Sequence, residues 1–191
     1  MRALRPKKET MKILGIAGSL RKESYNRGLL RAALEVVPKG CHLEVFDLSG
    51  IPVYNEEDEV RIPERVVQFK KAIRASDAIL IATPEYNYSI PGILKNAIDW
   101  ASRPYGDSAW DGKPVAIVGA SPAIQGTARA QYHLRQTFVY LNMYPLNKPE
   151  LMVGVAQDKF DAQGNLLDAE VRERIGELME ALVSHAQLFM R

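Results

Sequence analysis

Cysteine is nearly absent: Cys41 is the single one among 191 residues, which excludes an internal disulfide and any multi-cysteine metal site. It stands in Lys-Gly-Cys-His with no activating partner in the sequence, the pattern of a packed or idle thiol. No apolar run approaches the roughly 20 residues of a membrane-spanning helix, and no signal-peptide core is present. The chain therefore reads as cytoplasmic, without membrane contact. An excess of one charge is also missing. The formal net charge is +2, and Arg2, Arg5, Lys7 and Lys8 against Glu9 concentrate the positive excess in the first ten residues, leaving the rest at −1. Such a body has no field suited to nucleic acid. Residues 1–10 read as a disordered basic extension, followed by one domain over 11–191. The three histidines, His42, His133 and His185, fall on separate elements and read as structural or solvated. No metal site and no nucleophile–base pair are readable. Gly-x-x-x-x-Gly-Lys-Ser/Thr and Gly-x-Gly-x-x-Gly loops are missing too, which removes the two commonest nucleotide fingerprints.

What the chain does have is alternation. Short apolar runs at Met11–Ala17, His42–Leu48, Ala78–Ala82, Pro114–Gly119 and Leu151–Val155 predict five strands. Between and after them, amphipathic stretches predict helices over Tyr25–Val37, Glu64–Ala75, Ile90–Ser102, Thr127–Leu141 and Asp168–Phe189. Ala-Ile-Leu-Ile-Ala at 78–82 is too apolar and too short for anything but a central strand buried on both faces. Strands alternating with helices predict a three-layer, doubly wound α/β fold: a five-stranded parallel sheet of flavodoxin-like order 2-1-3-4-5. In such sheets, ligands bind outside the carboxyl ends of the strands, so the loops after strands one, three and four are where chemistry is sought.

The first of these loops, Gly18 to Asn26, combines a glycine at the strand end with the short polar side chains of Ser19, Ser24 and Asn26. Arg21 adds a planar fork of charged donors. The helix that follows aims its free N–H groups into the loop, an arrangement suited to one phosphate monoester. A serine-capped helix with no ligand is the plainer alternative. The second loop, Thr83 to Gly92, ends a buried strand in Pro84, Glu85, Tyr86, Asn87 and Tyr88, a rigid wall on which Tyr86 can lie against a planar ring. Ser89 and Pro91 read as the start of the next helix. Glu85 reads as an exposed loop carboxylate without a partner, a poor general base. The third loop, Gly119 to Arg129, is built of small residues that let a ligand or a neighbouring chain approach the backbone.

Together the segments GSLRKESYN, ATPEYNYSIPGILKNAIDW and GTARAQYHLRQ, with NKPE at 147–150, resemble the NAD(P)H-dependent FMN reductase family and its chromate and quinone reductase branch. The resemblance runs from Met11 to the terminal helix. It implies that Ser19, Leu20, Arg21, Ser24 and Asn26 hold the FMN phosphate. Pro84, Glu85, Tyr86 and Asn87 would contact the isoalloxazine, largely through backbone, and Ser121 would lie beside the flavin. It implies an oxidoreductase in which hydride passes from NADPH or NADH through flavin N5 to a quinone or another soluble acceptor such as chromate, an azo dye or a nitro compound, with no protein catalytic residue. A homodimer or homotetramer is implied as well, with Arg129 and Glu150 resembling residues that pair across the tetramer. Tyr54 and Asn55 are candidates to border the acceptor pocket from a neighbouring subunit, and Trp100, Trp110, Tyr132 and Phe138 to form a contact face, with the chain's own core as the default reading for each of these four. Gly126-Thr127 departs from the family's glycine pair, and Pro122-Ala123 is also atypical. A flavodoxin-like electron carrier, a flavin-free module of the same fold, and a reductase that supplies reduced FMN to a partner monooxygenase remain as alternatives at this point.

Overall fold

The computed structural model describes residues 10–190; apart from Thr10, the basic extension read from the sequence lies outside them. The strands are β1 (Met11–Ala17), β2 (Cys41–Phe46), β3 (Ala78–Ala82), β4 (Pro114–Ala120), β5 (Tyr144–Pro145) and β6 (Leu151–Val153). The helices are α1 (Tyr25–Glu35), α2 (Glu64–Ala75), α3 (Gly92–Ala101), α4 (Ala128–Tyr140) and α5 (Ala169–Gln187), with short 3-10 turns at Glu56–Arg61 and Ala156–Asp158. All named pairings are parallel and run β2-β1-β3-β4-β5, with β6 also on β4.

This is the order read from the sequence, with one difference at the edge. The fifth position is shared by two pieces: Tyr144–Pro145 pairs with Pro114–Val115, and Leu151–Val153 pairs with Val118–Ala120. Two residues are too few to leave a periodic signal, and Pro145 has no N–H to give a ladder.

Alternation along the strands divides the core. Ile13, Leu80 and Val118 face α1 and α5, whereas Leu14, Ile16, Ile79, Ile81 and Ile117 face α2, α3 and α4. Every residue of β3 and β4 is buried, as the uninterrupted apolar runs require of strands covered on both faces. Trp100, Trp110 and Phe138 lie in the second core at 1% exposure each, the default reading for them, and form no contact face; Tyr132 is exposed. Asp168 caps α5 as its position suggests, its side chain accepting from Val171 N–H at 2.9 Å. Ser89 and Pro91 do not divide the α3 start as expected. Pro91 holds the cap position with no side-chain bond, and Ser89 belongs to the preceding turn.

Candidate active site

The register of the parallel strands brings the carboxyl ends of β1, β3 and β4 into one row. Gly18 N–H donates to Ala82 O at 2.8 Å, Thr83 N–H to Val118 O at 2.9 Å and Ser121 N–H to Val153 O at 3.0 Å. The three loops singled out in the sequence therefore leave the sheet side by side. They enclose a cleft of about 160 Å³ lined by Ser19, Arg21, Ser24, Asn26, Pro84, Glu85, Tyr86 and Ser121. Tyr25, Ala120 and Pro122 line it too, none of which was singled out from sequence; Tyr25 had a signal, as the residue opening the helix after Ser24.

At the first loop, Ser24 is the N-cap of α1, its Oγ accepting from Asn26 N–H at 3.2 Å. Asn26 is buried and uses both ends of its amide as a peptide-like clamp. Nδ2 donates to Ala120 O at 2.9 Å, and Oδ1 accepts from Ala120 N–H at 3.0 Å. Its side chain thus ties the phosphate-type loop to the end of β4, with the second Nδ2 N–H not used by this clamp. Arg27 adds a second tie, donating to Ser19 O at 3.1 Å and pairing with Asp47 at 2.9 Å. Arg21 has no ion-pair partner among the described residues, and its guanidinium lies 5.5 Å from the Tyr25 ring centroid. Gly18 is not in a left-handed conformation. Its value is close approach, since a Cβ there would meet Leu94 Cδ2 at 3.2 Å and Pro84 Cδ at 3.3 Å.

The second loop is a two-residue hairpin. Tyr86 N–H donates to Ser89 O at 3.0 Å and Ser89 N–H to Tyr86 O at 2.9 Å, with Asn87 (φ 50) and Tyr88 (φ 63) left-handed between them. Asparagine tolerates that region, whereas tyrosine there is strained. The turn is braced by α4. The Arg129 guanidinium sits 3.9 Å over the Tyr88 ring, and Ser89 Oγ hydrogen-bonds His133 Nδ1 at 3.1 Å. Glu85 is not the exposed, unpartnered carboxylate that the sequence suggested. Its side chain is 7% exposed, and it accepts from the N–H groups of Arg129 and Ala130 at 3.0 Å each and from Arg129 Nη1 at 2.9 Å. It caps α4, a position where backbone dipoles favour a carboxylate. Arg129 accordingly pairs within its own chain. Tyr86 stays half exposed at the cleft.

At the third loop, Gly126 takes φ +59, and Thr127 is fully buried with its Oγ1 accepting from Gln131 Nε2 at 3.0 Å. Thr127 fills the space beside Gly119, where an added Cβ would lie 2.1 Å from Thr127 Oγ1. The turn stays tight because a methyl-sized gap at 119 accepts the extra side chain at 127. Ser121 is buried, its Oγ accepting from Ala123 N–H at 3.2 Å.

Tyr54 and Asn55 stand elsewhere, lining no part of this cleft. Tyr54 packs edge-on to Trp100 and donates to Glu59 at 2.5 Å, which pushes its phenol up to about 12. It helps line a larger groove of about 460 Å³ between α3 and α4, with Asp99, Arg103, Tyr105 and Tyr140. That groove lies along helices, away from the strand ends.

The sequence profile of NADPH-dependent FMN reductases matches residues 11–158. The chain belongs to that family. It is similar to the NAD(P)H-dependent FMN reductase of Pseudomonas aeruginosa, 55% identical over 96% of this chain and 97% of that protein. The 2-hydroxy-1,4-benzoquinone reductase of a Burkholderia species is 41% identical over 89% of this chain and 93% of its own length. Among solved structures, the flavoenzyme NAD(P)H:(acceptor) oxidoreductase FerB of Paracoccus denitrificans superposes with a TM-score of 0.85 at 33% identity, covering 94% of this chain and 98% of that one. The chain is thus an oxidoreductase of a family that works with FMN and a reduced nicotinamide.

Proposed function

We propose that this FMN-dependent NAD(P)H oxidoreductase reduces quinones, and that the strand-end cleft, in one domain spanning residues 11–191, is where the flavin is held. The observation that carries the placement is Arg21: a guanidinium without a carboxylate partner, beside the N-terminus of α1. Among the described residues, no protein group accepts from the amide N–H groups of Leu20, Arg21, Lys22 and Glu23. Donors without a protein acceptor beside a helix start suit a dianionic phosphate. Ser19 and Ser24 add hydroxyls, while Asn26 acts through the clamp on Ala120. Pro84, Glu85, Tyr86 and Asn87 form the wall for the ring system, with Glu85 contributing backbone because its carboxylate is used on α4. Ser121 borders the same space from β4.

When bound, FMN supplies the hydride chemistry between nicotinamide and acceptor. The residues position it and supply fixed dipoles: the backbone of the Tyr86–Ser89 turn is pinned before any ligand arrives, so its polar groups need no reorganisation. No side chain of the cleft is arranged as a nucleophile with a base. Quinone as the acceptor class is supported by the benzoquinone-reducing relative; chromate, azo and nitro compounds are further candidates for the same open site.

The cleft is small beside the about 300–1,000 Å³ of enclosed ligand sites. A mononucleotide seated there leaves ring surface for a neighbour to cover. Together with exposed Tyr132, Val139 and Tyr140 on α4, this supports a homodimer or homotetramer, testable by mass measurement in solution. A cytoplasmic location accords with the lack of any helix long and apolar enough to cross a membrane among the described residues.

The test of the placement is flavin retention. Arg21→Ala should lower FMN affinity by about tenfold or more, the scale of one lost charge-assisted contact. Tyr86→Ala should weaken it and alter the flavin absorbance band. Unchanged occupancy and unchanged spectra in both purified variants would remove the flavin from this cleft. Anaerobic reduction by NADPH and by NADH, followed by mixing with a benzoquinone, tests the acceptor and ranks the two nicotinamides.

A further inference from the structure

Residues 160–166, Phe-Asp-Ala-Gln-Gly-Asn-Leu, lie just past the 11–158 segment that the family profile matches. Phe160 and Leu166 are buried and pair as an antiparallel bridge, which closes a five-residue polar tip. Asp161 organises the tip: its carboxylate accepts from Asn165 N–H at 2.7 Å and Asn165 Nδ2 at 3.0 Å. These bonds, the backbone one foremost, hold Asp161 below the usual carboxylate range.

The tip is delivered onto the loop that precedes α1. Gly164 has φ +75, and a Cβ there would stand 2.6 Å from Glu23 O. On its other side, a Cβ on Gly28 would stand 2.0 Å from Gly164 O. Backbone therefore packs on backbone, and glycine is required at both partners. Arg31, one turn beyond Gly28, donates from Nη2 to Gly164 O at 2.7 Å and from Nε to Asn165 Oδ1 at 3.1 Å. The Phe160 ring lies 4.9 Å from the Tyr25 ring, which in turn lies under Arg21. A continuous line of contacts runs from the hairpin through Tyr25 to the unpartnered guanidinium of the cleft.

We propose that the 160–166 hairpin is a positioning element for the 19–24 loop and sets the site's preference for a phosphorylated flavin over an unphosphorylated one. The inference rests on the placement of the phosphate argued above. An irregular loop that must present several donors to one anion loses affinity when it is free to sample other shapes, and a brace removes that cost before binding. The contacts of the hairpin with Glu23, Tyr25, Gly28 and Arg31 lie at the phosphate end of the cleft. Loosening it should be felt by the phosphate and not by the ring.

The experiment compares FMN and riboflavin affinities of the full chain, by flavin fluorescence quenching, in wild type, Arg31→Met, Arg31→Lys and Gly164→Ala. Arg31→Met keeps helix propensity in α1 and removes the tether; Gly164→Ala pushes a methyl into Glu23 O. Both should weaken FMN roughly tenfold while leaving riboflavin within about twofold, and Arg31→Lys should recover part of the loss. Retained FMN preference in both Arg31→Met and Gly164→Ala overturns the proposal. So does a parallel loss for both flavins, which would mark a structural role only. A wild-type chain with no preference for FMN over riboflavin would instead refute the placement of the phosphate itself, and with it this inference.

Discussion

Glu85→Ala removes three acceptor bonds from one buried carboxylate: two from the first N–H groups of α4 and one from the Arg129 guanidinium. Loss of a helix-capping acceptor alone costs about 1 kcal/mol, and a hydrogen bond to a charged group is worth about 1.5–3 kcal/mol. The three bonds share one acceptor and Arg129 is partly exposed, so they do not simply add; about 3 kcal/mol is expected. For a chain of this size, each kcal/mol moves the melting temperature by about 2–4 °C, which predicts a fall of roughly 6–12 °C. Glu85→Gln keeps one carbonyl oxygen for the helix and should lose about half as much. Arg129→Ala removes only one of the three bonds and should cost less than Glu85→Ala. Urea unfolding of the three variants, with and without added FMN, measures the free energies, and thermal unfolding the melting temperatures. If Arg129→Ala reproduced the entire loss, the helix cap would contribute nothing and the reasoning would fail. It would fail equally if Glu85→Ala stayed within 1 kcal/mol, about the size of the cap alone, of wild type.

Gly119→Ala should destabilise by about 3 kcal/mol, the upper part of the overpacking range, because its Cβ would meet Thr127 Oγ1 at 2.1 Å and Thr83 O at 2.3 Å. Adding Thr127→Gly should recover only part of that in urea unfolding, since the Thr83 carbonyl is backbone; full recovery would contradict the packing. Asp168 is held below its ordinary range by Val171 N–H and then by Lys159, so its contribution to stability is present above the unfolded carboxylate pKa and is lost as pH falls through the lowered folded value. Asp168→Asn should therefore flatten the acid limb of the stability profile, and an unchanged limb would count against the cap. Glu59→Ala removes the acceptor that is the main cause of the elevated Tyr54 phenol, so spectrophotometric titration should find Tyr54 ionising nearer to about 10.

The sheet order and the location of the cleft were legible because both follow from local rules. Five apolar runs separated by amphipathic stretches admit few right-handed topologies, and that topology puts Gly18, Thr83 and Ser121 in one row. What could not be read was how side chains are spent. Glu85 looks exposed in the string because its partners, the N–H groups at 129 and 130, are 44 and 45 positions away and carry no residue identity. Asn26 also holds the end of β4, and nothing in the string of a phosphate-type loop marks Ala120 as its partner. Tyr144–Pro145 was missed because its pairing is dictated by the neighbouring strand and not by its own pattern. Thr127 departs from the family's glycine pair and is accommodated beside Gly119; a compensation between two positions is invisible to a motif that scores each alone.

These misses have a common physical form. In the first two loops, charged or amide groups fix the loop to neighbouring elements: Asn26 to β4, Arg27 to Ser19 and Asp47, Glu85 to α4. The polar groups left at the cleft are hydroxyls, backbone, the second amide N–H of Asn26 and the Arg21 guanidinium. A buried polar group must be hydrogen-bonded whether or not a ligand is present, so side chains fully satisfied by protein can shape the site but cannot add donors to it. It follows that substitutions at Asn26 and Glu85 should act on the stability of the loops together with flavin affinity. Substitution of Arg21, which braces nothing by hydrogen bond among the described residues, should change affinity while leaving urea unfolding of the flavin-free chain where it was. Affinity and stability falling together for Arg21→Ala would mean that Arg21 is a brace as well, and the division of labour drawn here would be wrong.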